Sequence, residues 1–290
     1  MVFDRSVTEL IREHLGDDMS AILFDGHLAY SASGDPQVLG AAVGEYFAEA
    51  DESVRRDSPE LFRLVGEAVS RGIGHEAQLL SPQAMRFYTG LGGIPESFTD
   101  IYNCYFDSGI IKLGGGEIFV DGGAQDLFTS YRFAKKTRGS YGAIYAFEPS
   151  EKNYYECMGN RALFNGTVHV SAAALSDRTQ AVGFTEDRQN SRIDTASAVH
   201  VQAAALDDCL DGIDPTYIKL HLEGGEYAAL IGAEKTVRRT GARLAVCIDH
   251  CAEDIVRIPQ KILEYDGGYT LYLRHYSTTI TETVLYAVKK

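Results

Sequence analysis

Hydrophobic residues recur at helical spacing in the N-terminal part of the chain. The spacing is seen in two sets, Leu10, Ile11, His14 and Leu15, and Leu61, Leu64, Val65 and Val69. Ser58-Pro59-Glu60 is typical of a helix start, with an N-cap serine and a proline at the first helical position. Only the apolar run Ala21-Ile22-Leu23-Phe24 indicates an early strand. We therefore predict that residues 1–113 form a mostly helical cap or substrate region, or a cover for one sheet edge.

The pattern changes after Gly114-Gly115-Gly116 to short apolar strands that alternate with amphipathic helices. The predicted strands are residues 118–120, 143–147, 168–170, 217–222 and 244–248. This alternation is typical of βαβ units and a parallel sheet. Residues 269–273 and 283–288 form two more apolar runs with no helix between them, so they should pair as an antiparallel hairpin. We predict an α/β domain over residues 114–290, with a Rossmann-like, doubly wound parallel sheet and a C-terminal antiparallel hairpin.

Composition and charge restrict the partners of the chain. Its 290 residues carry a formal net charge of −14, which opposes binding to nucleic acid or to an anionic membrane. The start, Met1-Val2-Phe3-Asp4-Arg5, does not resemble a signal peptide, and no apolar run reaches the ~20 residues of a spanning helix. The five cysteines include no CxxC pair, so we expect neither a disulfide framework nor a metal site. A cytoplasmic protein with a small-molecule substrate is predicted.

Two motifs follow the first two predicted strands and together indicate a cofactor site. The first strand ends in Asp121-Gly122-Gly123-Ala124, where glycines allow close approach of the backbone and the next helix can direct its amides at a carboxylate. The second ends in Phe147-Glu148-Pro149, which places an acidic residue to accept the ribose hydroxyls of an adenosine. A nicotinamide dinucleotide site would use similar geometry but needs a fuller GxGxxG. Glu148 could instead be a solvated carboxylate at a strand end.

Ionisable residues gather where the fourth and fifth predicted strands end. These segments are Ile218-Lys219-Leu220-His221-Leu222-Glu223-Gly224-Gly225-Glu226 and Cys247-Ile248-Asp249-His250. Ligands of open α/β sheets bind at this edge, so the candidate catalytic residues are His221, His250, Asp249, Lys219 and Glu223. His221 is the first candidate for a general base, and His250 or Asp249 the second. A neighbouring carboxylate would raise the pKa of a histidine here and burial would lower it, and the sequence leaves this balance open.

The segment from Glu117 to the end resembles the FkbM-type family of S-adenosylmethionine-dependent methyltransferases, which have the class I methyltransferase fold. The resemblance is carried by residues 119–124, 146–149, 174–177, 206–208, 218–219, 223–226, 273–276 and 282–287, in family order. It implies S-adenosylmethionine as the cofactor. The predicted cofactor-binding residues are Asp121, Gly122, Gly123, Ala124, Glu148, Pro149, Ala173 and His221. By the resemblance, Asp121 and the two glycines hold the methionine end of the cofactor, Glu148 holds the ribose, and the segment around Ala173 holds the adenine.

Three positions depart from the family pattern. Leu127 stands where family members tend to have a glycine, His221 where they tend to have an aspartate, and Asp249-His250 where a tyrosine-histidine pair is frequent. The cofactor motifs are therefore kept while the catalytic edge differs.

Three functions are compatible with these residues. The first is methyl transfer to an oxygen of a small molecule in secondary metabolism, by a monomer or a homodimer. The second is a cyclase that removes the proton next to the carboxylate of S-adenosylmethionine, closes the aminobutyryl chain to a ring such as 1-aminocyclopropane-1-carboxylate, and releases methylthioadenosine. The third is a pseudo-methyltransferase that serves as a partner surface. Metal assistance is compatible with this cluster, but no spacing requires it.

Overall fold

The structure is a computed structural model that describes residues 3–57, 104–185, 192–194, 196–276 and 281–289. Its helices are α1 Arg5–Glu13, α2 Asp18–Ser33, α3 Pro36–Asp57, α4 Phe128–Lys136, α5 Glu151–Asn160, α6 Leu206–Cys209, α7 Glu226–Ile231, α8 Glu234–Thr240 and α9 Asp254–Tyr265. Its strands are β1 Glu117–Gly122, β2 Tyr141–Phe147, β3 Val168–Ser171, β4 Ala173–Leu175, β5 Gln180–Thr185, β6 Arg192–Ile193, β7 His200–Ala204, β8 Tyr217–Leu220, β9 Arg243–Cys247, β10 Tyr269–His275 and β11 Thr283–Lys289. The predicted helix signals between residues 58 and 69 lie outside the described residues.

Contacts within the chain define two compact units. The first comprises Met1–Ile111 and Leu271–Tyr286, and the second comprises Lys112–Thr270 and Ala287–Lys290. The division differs from the predicted boundaries because it places most of the C-terminal hairpin with the N-terminal residues. Within the first unit, Gly16 donates its amide to the Leu271 carbonyl (2.7 Å), and Leu273 donates its amide to Ser20 Oγ (2.9 Å).

The first unit is helical at its N-terminal end, as predicted, but it has no strand at residues 21–24. These residues lie inside α2, which begins after the N-cap Asp17 and ends at Gly34 with a left-handed φ of 69°. Leu23 and Phe24 are fully buried. A short apolar run is compatible with either a buried strand or a buried helix, so the strand prediction was wrong.

The last two strands, β10 and β11, are neighbours in one sheet. The amide of Tyr276 donates to the carbonyl of Glu282 (3.0 Å), and the connection between the strands is too short for a parallel crossover. The predicted antiparallel hairpin is therefore confirmed.

The second unit contains five parallel strands in the order β9-β8-β1-β2-β3. Each of them was predicted, within a few residues of the observed bounds. Their apolar residues pack into the core, since strands with helices on both faces are buried throughout. The predicted Rossmann-like parallel sheet is confirmed.

A second, four-stranded sheet in the same unit was not predicted. Its order is β4-β7-β5-β6, with β4 parallel and β5 antiparallel to β7. Strands β4 and β6 have three and two residues, and β5 and β7 mix exposed with buried positions. They therefore lack the apolar runs by which the buried parallel strands were recognised.

Strand order determines where a ligand can enter the parallel sheet. The chain winds from β1 through β2 to β3 on one side, and then returns to build β8 and β9 on the other side of β1. The carboxyl ends of β1 and β8 thus lie at the topological switch point, where open α/β sheets bind ligands.

Among the described residues, no helix combines the length and the apolar character needed to cross a membrane.

Candidate active site

The turn after β1 lies against the end of β8 so closely that only glycine fits. Gly123 has a left-handed φ of +74°, and a Cβ on it would lie 1.9 Å from the carbonyl oxygen of His221. A Cβ on Gly122 would lie 2.9 Å from Leu220 Cδ2. The amide of His221 donates to the Gly122 carbonyl at 3.1 Å. The two glycines of the predicted motif therefore hold the backbone of His221 beside the turn.

Lys219 and Asp121 fix this turn from inside the protein. Lys219 Nζ donates to Asp121 Oδ1 (3.1 Å) and to the carbonyls of Gly122 (3.0 Å) and Gly123 (2.8 Å). Ser130 Oγ donates to the other oxygen, Asp121 Oδ2, at 2.7 Å. Asp121 is fully buried and Lys219 is 2% exposed. In this arrangement both residues shape the turn, and Ser130, which no motif indicated, completes it.

Glu148 connects the end of β2 to the same turn. Its Oε2 accepts from the amide of Gln125 (2.8 Å) and its Oε1 accepts from the amide of Ser150 (3.0 Å). Pro149 lies between Glu148 and Ser150, which caps α5. Burial raises the pKa of Glu148, although these hydrogen bonds and the charge of Lys219 act in the opposite direction. The predicted ribose acceptor is therefore a fixed, buried carboxylate next to the glycine turn.

Leu127 has a backbone conformation that favours glycine. It has a left-handed φ of 68°, precedes α4 and is 1% exposed. For a residue other than glycine this conformation costs roughly 1–2 kcal/mol, while burial of the leucine side chain acts in the other direction. Its side chain makes no capping hydrogen bond, and Asp126 Oδ1 accepts from the amide of Phe128 (2.9 Å). The start of α4 thus combines a left-handed residue with an aspartate that accepts one of its first amides.

Ala173, the predicted adenine contact, lies just after the carboxyl end of β3. It begins β4, is 5% exposed, and pairs with Gln202 of β7. Its position in the chain follows the same edge of the parallel sheet as the β1 turn and Glu148.

The two histidines at the catalytic edge lie side by side, with ring centroids 5.1 Å apart. Glu223 joins them, because its Oε1 lies 3.1 Å from His221 Nε2 and its Oε2 lies 3.3 Å from His250 Nε2. Glu226 Oε1 lies 3.0 Å from His250 Nδ1, an ion-pair distance without the alignment of a hydrogen bond. The structure thus brings three of the predicted catalytic residues into one cluster.

Glu226 is a member of this cluster that the candidate set lacked. It is fully buried in the first turn of α7, and its carboxylate accepts the amides of Leu222 (2.6 Å) and Gly224 (3.0 Å). Glu226 is the first residue of α7, where an acidic side chain can accept backbone amides that the helix leaves free, and its place after Gly224-Gly225 could have indicated it. Glu226 therefore fixes the loop that carries Glu223.

Charge pairing determines the ionisation of the cluster. Burial by itself would raise the pKa of Glu223, but hydrogen bonds from His221 and His250 lower it to about 2. Burial would lower the pKa of His250, but Glu223 and Glu226 raise it to about 11. The balance that the sequence left open is thus decided by carboxylates, mainly by Glu223 and Glu226 rather than the neighbouring Asp249. His250 is an imidazolium at neutral pH.

Asp249 contacts a cysteine that the sequence did not single out. Cys247, the last residue of β9, is 1% exposed and its Sγ donates to Asp249 Oδ1 at 2.8 Å. One ligand atom from each of His221, Cys247 and His250 lies within 4.8 Å of the others. A buried thiol therefore adjoins the two histidines.

The parallel sheet, its switch point and the glycine turn define an α/β domain of the Rossmann-like class. Residues 121–269, just over half of the chain, match the family described as the methyltransferase FkbM domain. The chain belongs to this family, as the sequence motifs predicted. Membership of this methyltransferase family supports S-adenosylmethionine, the cofactor predicted from the sequence, as the ligand of the site.

Comparison with solved structures supports the fold. The structure of methyltransferase FkbM from Methylobacillus flagellatus KT is 21% identical, with a TM-score of 0.56 over 81% of this chain and 60% of that chain. This chain thus spans 60% of the length of that protein. Fibrillarin from Aeropyrum pernix, solved in complex with S-adenosyl-L-methionine, is 12% identical, with a TM-score of 0.39 over 64% of this chain and 76% of that chain. No curated protein sequence matches the chain.

Proposed function

We propose that this chain binds S-adenosylmethionine at the carboxyl ends of β1 and β2 and transfers its methyl group to an oxygen of a small molecule. The observation that carries the proposal is the buried carboxylate of Glu148, held next to the glycine turn at the switch point of the sheet. An acidic residue in this position can accept the hydroxyls of a ribose. A role in secondary metabolism and a cytoplasmic location stay predictions.

The residues present suit the cofactor on chemical grounds. Each oxygen of Glu148 accepts one backbone amide, and a carboxylate oxygen has a second lone pair for a ribose hydroxyl. Leu127 forms no side-chain cap and Asp126 accepts only the amide of Phe128, so the other amides in the first turn of α4 can face the carboxylate of the methionine end. The cofactor, when bound, supplies an activated methyl group on a sulfonium.

The protein must then orient the acceptor and remove one proton. His221 is the best candidate for this base, because it lies at the end of β8 and Glu223 holds its Nε2. The other candidates are engaged elsewhere: His250 lies between two carboxylates, Lys219 donates to the β1 turn, and Asp249 accepts from Cys247. Glu223 acts in this proposal as the group that orients His221.

The substitution Glu148→Gln is expected to weaken S-adenosylmethionine binding by roughly 10- to 100-fold, because hydrogen bonds to a charged group contribute about 1.5–3 kcal/mol. The amide nitrogen of glutamine would also face the Gln125 or Ser150 amide, which now donates to the carboxylate. Isothermal titration calorimetry measures the change. Glu151→Gln is the matched control, because Glu151 is exposed at the start of α5, and it should bind the cofactor as the native chain does.

The substitution His221→Asn is expected to reduce the rate of methyl transfer by roughly 10²- to 10⁴-fold, the usual contribution of general acid–base catalysis. Cofactor affinity should change much less than the rate, since the β1 turn is held by backbone contacts with position 221 that asparagine retains. His200→Asn is the control, because His200 is exposed on β7. A native turnover number in the His221 variant would exclude this residue as the base.

The products formed from S-adenosylmethionine test the reaction class directly. The purified chain should leave the cofactor intact when incubated with it alone, and should form S-adenosylhomocysteine only after a hydroxyl- or carboxyl-bearing acceptor is added. Mass spectrometry of the adenosine products distinguishes these results. Methylthioadenosine with a cyclic amino acid, formed from the cofactor alone, would contradict methyl transfer.

A further inference from the structure

The ends of β8 and β9 present nitrogen and sulfur ligands to one point in the protein. His221 follows β8, Cys247 ends β9, and His250 follows three residues later. One potential ligand atom from each lies within 4.8 Å of the other two. Imidazole nitrogen and thiolate sulfur are the ligands of zinc sites, with bonds of roughly 2.0–2.3 Å. We propose that His221, Cys247 and His250 bind a Zn²⁺ ion.

The strands position these ligands before any ion binds. β8 and β9 are paired in parallel, so residues that follow their carboxyl ends meet at one edge of the sheet. The backbone of His221 is fixed by its hydrogen bond to Gly122 (3.1 Å), and Cys247 is 1% exposed. Only side-chain movements on the order of an ångström would bring the ligand atoms from 4.8 Å to the spacing of a tetrahedral site.

Carboxylates around the three residues complement a divalent cation. Glu223 places one oxygen at 3.1 Å from His221 Nε2 and the other at 3.3 Å from His250 Nε2. A Zn²⁺ ion bound there, one thiolate from Cys247 and the Glu223 carboxylate together have no net charge. On binding, the Cys247 thiol would release to solvent the proton that it now donates to Asp249, and the thiolate and Glu223 would then balance the charge of the ion.

His250 also has the outer partner that is usual for a zinc-bound histidine. Glu226 Oε1 lies 3.0 Å from Nδ1, on the side of the ring away from Glu223. A carboxylate behind a ligating histidine orients the ring and directs the other nitrogen at the metal. Glu226 is fully buried and its own position is fixed by the amides of Leu222 and Gly224. His250 is thus held by Glu226, and Zn²⁺ would displace the proton that its Nε2 shares with Glu223.

The ion has a consequence for catalysis that rests on the proposed methyl transfer. With Zn²⁺ bound, His221 would be a ligand in place of the base, the ion would polarise the acceptor oxygen as a Lewis acid, and the proton of that oxygen would pass to the Glu223 carboxylate. Three protein ligands leave one tetrahedral position for this oxygen, as in catalytic zinc sites. Binding of the ion itself does not depend on the reaction.

Cobalt titration of the full chain tests the site, after chelation and dialysis have removed bound metal. Co²⁺ should bind with one ion per chain and give a near-ultraviolet thiolate-to-metal band together with the visible bands of a tetrahedral ion, and Zn²⁺ should displace it. Cys247→Ser should lose the thiolate band, and His250→Asn should bind Zn²⁺ at least about tenfold more weakly. Cys251→Ser should retain the band, because Cys251 is outside the ligand group. Circular dichroism checks that each variant is folded.

Two results would overturn the proposal. One is the absence of a stoichiometric Co²⁺ or Zn²⁺ complex in a chain that still binds S-adenosylmethionine by calorimetry, which would leave the proposed function intact. The other is a thiolate band that survives in folded Cys247→Ser. A metal complex in a chain that does not bind S-adenosylmethionine would support the site and contradict the proposed function, so the two failures are distinguishable.

Discussion

The substitution Gly123→Ala is expected to destabilise the protein by about 2–5 kcal/mol and to abolish measurable S-adenosylmethionine binding. A left-handed backbone costs alanine roughly 1–2 kcal/mol, and overpacking costs about 1–3 kcal/mol more. The new Cβ would lie 1.9 Å from the backbone oxygen of His221, which cannot rotate away as a flexible side chain could. The β1 turn or the end of β8 must therefore move. Chemical denaturation measures the first effect and calorimetry the second.

Gly139→Ala separates the contact from the backbone angle. Gly139 has the same φ of +74°, but a Cβ there would meet no atom within 4 Å. Its alanine variant should lose only the roughly 1–2 kcal/mol of the left-handed conformation and should bind the cofactor normally. Equal losses of stability in the two variants would show that the contact with His221 has no energetic role.

The substitution Arg274→Leu is expected to destabilise the first unit by about 3–5 kcal/mol, the range observed when one partner of a buried ion pair is removed. The Arg274 side chain is 6% exposed, and it pairs with Asp17 and with Asp107, at 3.3 Å from the latter. Asp107 is 1% exposed, so without Arg274 its charge would remain buried and unpaired. Urea denaturation at several pH values measures the loss.

The pH dependence of this loss follows from the two carboxylates. Burial would raise the pKa of Asp17, but Arg274 and Ser20 hold it below the ordinary value, whereas burial dominates and raises the pKa of Asp107. The stabilisation from the low pKa of Asp17 is present above the unfolded pKa and is lost as the pH falls through the folded one. The difference in the free energy of unfolding between the native protein and Arg274→Leu should therefore become smaller at acidic pH.

Arg12→Leu is the matched control for Arg274→Leu in the same unit. Arg12 also pairs with an aspartate, Asp25, at 2.7 Å, but the two side chains are 44% and 58% exposed. An exposed pair of this kind contributes about 0–1 kcal/mol. If Arg274→Leu loses no more stability than Arg12→Leu, burial of the Arg274 ion pairs does not add to the stability of the protein.

Apolar runs predicted the parallel sheet because its strands are buried on both faces, and such burial leaves a clear signal in the sequence. The glycine turn and Glu148 were also predictable, since both follow directly from the ends of strands β1 and β2. The second sheet was not, because β5 and β7 are partly exposed. The run at residues 21–24 was misassigned because four apolar residues fit a helix as well as a strand.

The roles of several site residues could not be predicted from the sequence, because they depend on contacts between segments that are far apart in the chain. Lys219 and His221 are two residues apart, and both were candidates for catalysis on their chemistry alone. In the structure, Lys219 Nζ donates hydrogen bonds to the turn after β1, nearly 100 positions earlier in the chain, whereas His221 lies beside Glu223. Cys247 had no motif to mark it, and its proximity to both histidines depends on the pairing of β8 with β9.

Isothermal titration calorimetry with S-adenosylmethionine tests directly whether the chain binds this cofactor through Glu148. We expect one cofactor molecule per chain, displacement by S-adenosylhomocysteine, and binding that is roughly 10- to 100-fold weaker in Glu148→Gln but unchanged in Glu151→Gln. Absence of binding by the folded chain, or equal affinity of the native and Glu148→Gln proteins, would contradict it.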